Sequence, residues 1–384
     1  MKHLDEFRDP QMARSLVGEI RRTTTQRRVL MEVCGGQTHS LLRHGIAAAL
    51  NDSVELIHGP GCPVCVTPAE AIDFAQTLAL EPNVLLTSFG DMLRVPGSSR
   101  TLLDVRRDGG DVKIVYSPLD AVELARTQPD RHVVFFAVGF ETTVPTTALA
   151  VKQAAELDLQ NFSLIVAHVR VLPAMEAIMQ SPGCRVEGFL AAGHVCTITG
   201  FEEYNNFADQ FSTPVVVTGF EPLDLLDGIL ECVRQLESDR CEVSNRYARS
   251  VQRRGNLSAQ QLMDEVYEVA DSPWRGLGVI PQGGYRLRSE FGHFDAARRF
   301  AELSEQMGCM IAPPLVQLSE TAAACITGAC PQNECRSGEV LTGLIKPVEC
   351  AAFGTRCSPE SPLGAPMVSA EGACAAYFKY QRTV

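Results

Sequence analysis

The first two thirds of the chain alternate between short apolar runs and amphipathic stretches. The apolar runs are rich in Val, Ile, Leu and Phe, and most of them are continuous rather than alternating with polar residues. Continuous apolar strands separated by helices are typical of parallel sheets that are covered on both faces. We therefore predict an α/β fold with strands at residues 29–33, 54–58, 83–89, 112–116, 132–140, 163–169, 186–192 and 213–220.

Eight strands fit two open parallel-sheet domains better than one large sheet, given the usual size of a domain. We divide them into an α/β domain over residues 28–125 and a second over 126–240. Residues 1–27 have apolar positions at helical spacing and are predicted to form a helical segment that packs on a third domain. That third domain, over residues 241–384, begins with a predicted helix at 258–270 and continues into Gly- and Pro-rich sequence.

Composition narrows the range of functions. The 384 residues are 45% apolar and 21% charged, which is the profile of a soluble globular protein. The net charge of −12 argues against nucleic acid as a partner. No apolar run approaches the roughly 20 residues of a membrane helix, and the charged N-terminus lacks the apolar core of a signal peptide. We expect a cytoplasmic protein with no membrane partner, whose fourteen cysteines are mostly thiols or ligands.

The first predicted strand ends in CGGQTHS, which begins at Cys34. Two glycines permit a sharp turn, and a helix is predicted to start close to the cysteine. A helix N-terminus favours thiolate, the form of cysteine that attacks or binds metal. His39 follows in the same turn as a candidate acid/base or second ligand. The alternative is a buried structural cysteine beside an ordinary strand–helix turn.

The second strand ends in GPGCPVCVTP, where Cys62 and Cys65 form a C-x-x-C pair. Such a pair closes a short disulfide or chelates a metal. No second C-x-x-C or H-x-x-H lies nearby in sequence, which disfavours zinc and favours a redox dithiol. A metal site shared with Cys34 remains an alternative.

Further candidate side chains follow later strands. Glu141 comes directly after the run 132–140, where a helix begins, and is either an acid/base or proton relay or a favourable charge at a helix start. His168 and His194 end two later runs and are predicted to face one cleft if they belong to one sheet. No glycine-rich phosphate-binding motif is present, so nucleotide binding is not supported.

Four cysteines near the C-terminus are separated by fourteen, six and sixteen residues: Cys335, Cys350, Cys357 and Cys374. Such a set can hold structural zinc or an iron–sulfur cluster. Zinc sites usually contain C-x₂₋₄-C pairs, which this set lacks, so wide spacing among Pro- and Gly-rich loops favours a [4Fe–4S] cluster. Cys325 and Cys330 offer other ligand sets, and the residues alone do not choose among them.

Taken together, these segments resemble the HypD family of [NiFe]-hydrogenase maturation factors. The similarity covers nearly the whole chain, and the motifs occur in the family's order. The segments that carry it are CGGQTH from Cys34, GPGCPVC from Gly59, SFGDMLRVPG from Ser88, GFETT from Gly139 and the stretch from Cys357 to Tyr380. The resemblance implies two α/β domains plus a loop-rich, helix-containing iron–sulfur domain.

The resemblance also implies roles for single residues. Cys34 matches the family's iron-anchoring cysteine and His39 its companion. Glu141 matches the acidic residue of the GFET motif. Pro366 departs from the pattern, since many relatives are expected to carry another cysteine there. Cys62 and Cys65 match the family's redox-active pair. The family's [4Fe–4S] ligands match Cys335, Cys350, Cys357 and Cys374. The resemblance assigns no role to Cys325 and Cys330.

By this resemblance the protein is an assembly scaffold with redox activity rather than a conventional turnover enzyme. With a small HypC-type partner it would build the Fe(CN)₂CO unit, with iron held by Cys34 and by a cysteine of the partner. A HypE-type protein would deliver cyanide, and the hydrogenase large subunit would be an indirect partner. Electrons would pass through Cys62 and Cys65 and the [4Fe–4S] cluster. The alternatives are a free-standing iron–sulfur thiol–disulfide oxidoreductase and a zinc-stabilised α/β binding protein.

Overall fold

Residues 5–306 and 334–381 are described by a computed structural model. Cys309, Cys325 and Cys330 lie outside the described residues. The strands are β1 Arg28–Glu32, β2 Val54–His58, β3 Val84–Ser88, β4 Val112–Ile114, β5 His132–Gly139, β6 Phe162–His168, β7 Gly188–Ala192, β8 Val215–Thr218, β9 Val243–Asn245, β10 Tyr267–Trp274 and β11 Gly278–Leu287.

Helices connect most of these strands. Short 3₁₀ turns also occur at Asp5–Phe7, Gly90–Arg94, Ser289–Phe294 and Pro347–Glu349. The α-helices are α1 Pro10–Thr23, α2 Gly35–Arg43, α3 Ile46–Leu50, α4 Pro63–Val66, α5 Ala69–Leu78, α6 Leu102–Arg107, α7 Pro118–Thr127, α8 Val144–Glu156, α9 Val171–Met179, α10 Gly193–Thr199, α11 Tyr204–Phe211, α12 Pro222–Leu236, α13 Leu257–Val266, α14 Ala296–Arg299, α15 Ala301–Gln306, α16 Ser337–Leu341, α17 Ala365–Val368 and α18 Ala373–Tyr380.

The α/β prediction is confirmed by two parallel sheets. The first sheet has the strand order β2-β1-β7-β8-β9 and the second has the order β4-β3-β5-β6. All eight predicted runs form strands, and β5 is buried along nearly its whole length because helices cover both faces of the sheet. The short edge strand β9 was not predicted.

The sheets do not follow the predicted division after residue 125. The first sheet takes β1 and β2 from the start of the chain and β7, β8 and β9 from after residue 187, while the second sheet lies between them in sequence. The division into 28–125 and 126–240 is therefore wrong for the sheets. Apolar runs indicate where strands are, but they carry no information on which strands pair.

The N-terminal segment also packs differently from the prediction. Helix α1 lies against α12 and α3, beside the first sheet, rather than on the C-terminal segment. Its buried residue Ile20 joins an apolar cluster with Leu226 and Ile229 of α12. Helical spacing identifies the apolar face of α1 correctly, but it does not specify which part of the protein that face packs against.

The helix predicted at 258–270 ends early, and its last residues form a strand. Helix α13 stops at Val266, and Tyr267 begins β10, which pairs with β11 as an antiparallel hairpin. Tyr267 is buried, and its hydroxyl donates to Thr147 Oγ1 at 3.1 Å. This tertiary contact favours a strand where the local pattern favoured a helix.

The described part of the C-terminal segment is loop-rich with short helices, as predicted. Helix α18 packs on α2, and the single turn α17 packs on α4. The segment therefore lies over the turns that follow β1 and β2. No helix in residues 5–306 or 334–381 combines the length and apolar character needed to cross a membrane.

Candidate functional site

The turns after β1 and β2 are in direct contact. The two strands are parallel neighbours in which Glu32 lies opposite His58, so both chains leave the sheet at the same edge. Gly35 N donates to Gly61 O at 3.0 Å. A Cβ atom at Gly61 would lie 2.3 Å from the backbone nitrogen of Cys34. Glycine at this position therefore lets the two cysteine-bearing turns touch.

Cys34 caps the start of α2 and is buried, with 5% of its surface exposed. Burial raises the pKa of its thiol to about 12; hydrogen bonding to the Gln37 backbone opposes this shift, and the charge of Glu32 adds to it. The predicted effect of the helix start, a lowered pKa, is therefore outweighed by desolvation. The neutral thiol is therefore the favoured form of Cys34 near pH 7.

The histidine that faces this thiol is His194, not His39. His194 lies in the first turn of α10, and its Nδ1 atom is 3.8 Å from Cys34 Sγ. Burial lowers the pKa of His194 to about 4, so its imidazole is neutral near pH 7. His39 Nδ1 instead forms a hydrogen bond with Tyr380 Oη at 3.0 Å. The predicted role of His39 as a companion of Cys34 stays a prediction.

His168 and His194 do not share a cleft as predicted, because they end strands of different sheets. His168 is buried and forms hydrogen bonds with Thr143 and Thr147. Burial lowers the pKa of His168 to about 4. It is a neutral core histidine whose polar atoms have partners inside the second sheet's layer.

Glu141 is almost fully buried directly after β5, with 2% of its surface exposed. Its Oε1 atom accepts a hydrogen bond from Val171 N at 2.9 Å, while Oε2 has no partner among the described residues. Burial raises the pKa of this carboxyl to about 7, despite hydrogen bonds from its own backbone and that of Val171. Glu141 can thus hold or release a proton near neutral pH.

Cys62 and Cys65 form a disulfide, with their Cα atoms 5.2 Å apart. Pro63 begins the one-turn helix α4 between them, and Cys65 N donates to Cys62 Sγ at 3.2 Å. Both cysteines are buried, with exposures of 2% and 1%. While bonded to each other, the two sulfur atoms are not available as thiolate ligands to a metal.

The four C-terminal cysteines come from four separate segments and lie close together. Cys350, Cys357 and Cys374 belong to one small apolar cluster with Met367. A Cβ atom at Gly364 would lie 2.3 Å from Cys335 Sγ, and the neighbouring Leu363 N donates to Cys357 Sγ at 3.4 Å. Burial raises the pKa of Cys374 well above its usual range, and the charges of the other three thiols raise it further.

The four thiols of this quartet are a donor set that fits a [4Fe–4S] cluster, in which each thiolate binds a different iron. The same donor set also fits one structural zinc ion. Among the described residues, no group of three or more His, Cys, Asp or Glu side chains lies in a geometry ready to hold one metal ion.

One short segment, residues 365–372, contacts all three cysteine sets. In α17, Ala365 and Val368 pack in the same cluster as the Cys62–Cys65 disulfide, and Met367 packs against the quartet. Further along, Glu371 closes over the Cys34 turn so tightly that a Cβ atom at Gly35 would lie 2.0 Å from Glu371 O. The disulfide and the quartet therefore pack against the same helical turn.

Sequence reasoning missed two parts of this site. The only signal for the proximity of His194 to Cys34 is the position of His194 after a predicted strand. That position suggests His168 as its neighbour rather than Cys34. Glu371 gave no signal, because an acidic residue in a polar loop is ordinary.

Comparison with known proteins identifies a family over nearly the whole chain. A family model named HypD and described as the hydrogenase formation hypA family matches residues 11–381. The chain is 46% identical to hydrogenase maturation factor HypD of Azotobacter vinelandii, over 100% of this chain and 97% of that protein. It is 42% identical to HypD of Escherichia coli K12, over 100% and 99%. It is 43% identical to HypD2 of Bradyrhizobium diazoefficiens, over 100% and 97%.

Proposed function

This chain belongs to the HypD family of hydrogenase maturation factors, and we propose that it is the scaffold on which the Fe(CN)₂CO unit of [NiFe]-hydrogenase is assembled. The observation that carries the proposal is the meeting of three cysteine sets around residues 365–372. A site that binds iron next to a redox pair needs this proximity.

Cys34 is the proposed iron anchor. Its buried thiol is neutral, so it must lose a proton when Fe²⁺ binds, and the charge of the metal compensates for the burial of the thiolate. The neutral imidazole of His194, whose Nδ1 lies 3.8 Å from Cys34 Sγ, is a second candidate ligand for the metal. One thiolate leaves iron positions open, which a cysteine of a HypC-type partner would fill.

The thiol quartet, Cys335, Cys350, Cys357 and Cys374, would hold a [4Fe–4S] cluster, which supplies one-electron chemistry when bound. Beside it, the Cys62–Cys65 disulfide can take up two electrons and two protons and become two thiols. The burial of both cysteines shields the pair from soluble thiols. A HypE-type protein would provide cyanide, and the hydrogenase large subunit would receive the finished unit indirectly.

The alternative of a free-standing thiol–disulfide oxidoreductase is less well supported by the geometry. Such an enzyme must bring a substrate disulfide within bonding distance of an attacking sulfur. Both sulfur-bearing residues are at most 2% exposed, which leaves no room for a substrate disulfide without prior opening of the segment around α17.

Anaerobic purification of the full chain with its HypC-type partner tests the proposal. The wild type should be brown and show infrared CN and CO stretches. Cys34→Ala should lose at least nine tenths of the infrared bands and keep the visible absorption, because only the anchor is removed. Cys357→Ser should lose the visible absorption. Cys232→Ala, at a buried core cysteine of α12, is the matched control and should keep both signals.

Two results would contradict the proposal. Infrared bands at wild-type intensity in Cys34→Ala would exclude the anchoring role. A colourless wild type that contains one zinc per chain would exclude the cluster.

A further inference from the structure

A fully buried carboxylate lies directly beneath the Cys34 turn. Glu32 is the last residue of β1 and has no exposed surface. Its Oε2 atom accepts a hydrogen bond from Cys34 N at 2.9 Å. Its Oε1 atom accepts from the Thr38 hydroxyl in the first turns of α2 and from His58 Nδ1 at 2.5 Å. One side chain thus holds both ends of the Cys34 turn.

The chain of hydrogen bonds continues to the C-terminal helix. His58 extends the chain through its second ring nitrogen, Nε2, since both nitrogens of an imidazole can form hydrogen bonds. The hydroxyl of Tyr377 lies 2.8 Å from Nε2 and forms a hydrogen bond with it. Tyr377 is buried in α18, one turn after Cys374 of the quartet.

Stability alone does not explain an acidic residue here. The neighbouring buried positions of β1 are Leu30 and Met31, and an apolar residue at position 32 would avoid the cost of burying a charge. A buried carboxylate is useful where its hydrogen bonds fix the direction of other groups. Glu32 fixes the backbone N–H of Cys34, and through it the direction in which the sulfur points.

We propose that Glu32 is a positioning residue for the Cys34 sulfur, and that the Glu32–His58–Tyr377 chain couples the Cys34 turn to the helix that carries Cys374. Displacement of α18 removes the hydrogen-bond partner of His58 Nε2 and leaves that buried atom unsatisfied, so Glu32 and the Cys34 turn must adjust. The position of the sulfur follows from these contacts alone. Only the consequence for iron rests on the proposed function.

The rate at which iodoacetamide alkylates Cys34 in the native full-length chain tests the coupling. Peptide mass spectrometry reports Cys34 and, in the same sample, the core cysteine Cys232. Tyr377→Phe should raise the rate at Cys34 at least five-fold and leave Cys232 unchanged, because the turn loses its anchor while the core stays intact. Glu32→Gln should raise the rate at Cys34 at least as much, since it also removes a charge that raises the pKa of this thiol.

Matched controls separate this effect from loss of a charge or of a buried hydroxyl elsewhere. Glu55→Gln removes a carboxylate from the adjacent strand β2, where it pairs with surface cations. Tyr267→Phe removes a buried hydroxyl that is bonded to Thr147. Neither should change the rate at Cys34 by more than two-fold.

Three outcomes would overturn the proposal. The first is a rate at Cys34 within two-fold of wild type in both variants. The second is a parallel rise at Cys34 and Cys232, which indicates general loosening. The third applies if Glu32→Gln does not fold: Tyr377→Phe then decides alone, and an unchanged rate in it overturns the coupling. Infrared bands of the loaded wild type report the proposed function separately, so its failure would leave the alkylation result standing.

Discussion

Burial holds Cys34 and the facing His194 in their neutral forms near pH 7. It raises the pKa of Cys34 to about 12 and lowers that of His194 to about 4. A neutral thiol and a neutral imidazole side by side repel no incoming cation. When a metal ion binds, its charge replaces the protons that leave, which couples metal binding to pH.

Glu141→Gln should change how stability depends on pH. In the wild type the folded carboxyl titrates near pH 7 and the unfolded one near 4.5, so the folded state binds more protons between these values and stability falls as pH rises through this window. The variant lacks this pH-dependent loss. Between pH 4.5 and 8, its free energy of unfolding should therefore rise by up to roughly 3 kcal/mol relative to that of the wild type. Urea unfolding at both pH values measures the difference. Parallel pH profiles would show that Glu141 is not titrating.

At the same scale, sequence reasoning found the cysteines but not their surroundings. Cys34 and the Cys62–Cys65 pair were identifiable because their glycines, prolines and spacing are local features. The partner of Cys34 was not, because His194 is 160 residues away in the chain and reaches the thiol only through the pairing of β1 with β7. Local motifs therefore specify a reactive residue but not the distant side chains that face it.

The elements around the site are short turns whose glycines allow backbones to approach closely. All eight strands that position these turns could be predicted, because buried parallel strands are continuous apolar runs. The hairpin of β10 and β11 could not, since its first strand continues a helical pattern and owes its conformation to contacts of Tyr267 with α8. Tertiary packing overrides local preference at such positions.

Gly61→Ala should disrupt the contact between the two cysteine-bearing turns. The added Cβ atom would lie 2.3 Å from Cys34 N and 2.4 Å from Cys34 Cα, and backbone atoms cannot move aside cheaply. We expect a loss of about 1 to 3 kcal/mol in the free energy of unfolding, measured in urea. Gly90→Ala is the control, because its Cβ would meet nothing closer than 3.9 Å. Equal stability of the two variants would contradict this account.

At the scale of the whole molecule, the first sheet contains strands that precede the second sheet in the sequence and strands that follow it. The chain completes β1 and β2, builds β3 to β6 as a separate sheet, and returns to place β7 beside β1. The usual size of a domain predicts two sheets correctly. It does not require that each sheet take its strands from one continuous stretch of the chain. Pairings over long sequence separations leave no mark in local patterns.

A fragment of residues 28–125 should therefore not fold alone. It contains β1 without its partner β7 and β3 without its partner β5, so two central strands lack a neighbour. Circular dichroism in increasing urea should show no cooperative transition, whereas the full chain should show one. A cooperative transition in the fragment would mean that the predicted division does describe an independent folding unit.

The return of the chain to β1 also determines when the Cys34 site exists during synthesis. Cys34 is made first, His194 follows 160 residues later, and Glu371 and Tyr377 follow later still. At roughly 5–20 residues per second, the nascent thiol waits many seconds for its surroundings. The complete surroundings of Cys34 therefore form only after the segment that contains Glu371 and Tyr377 has been synthesised.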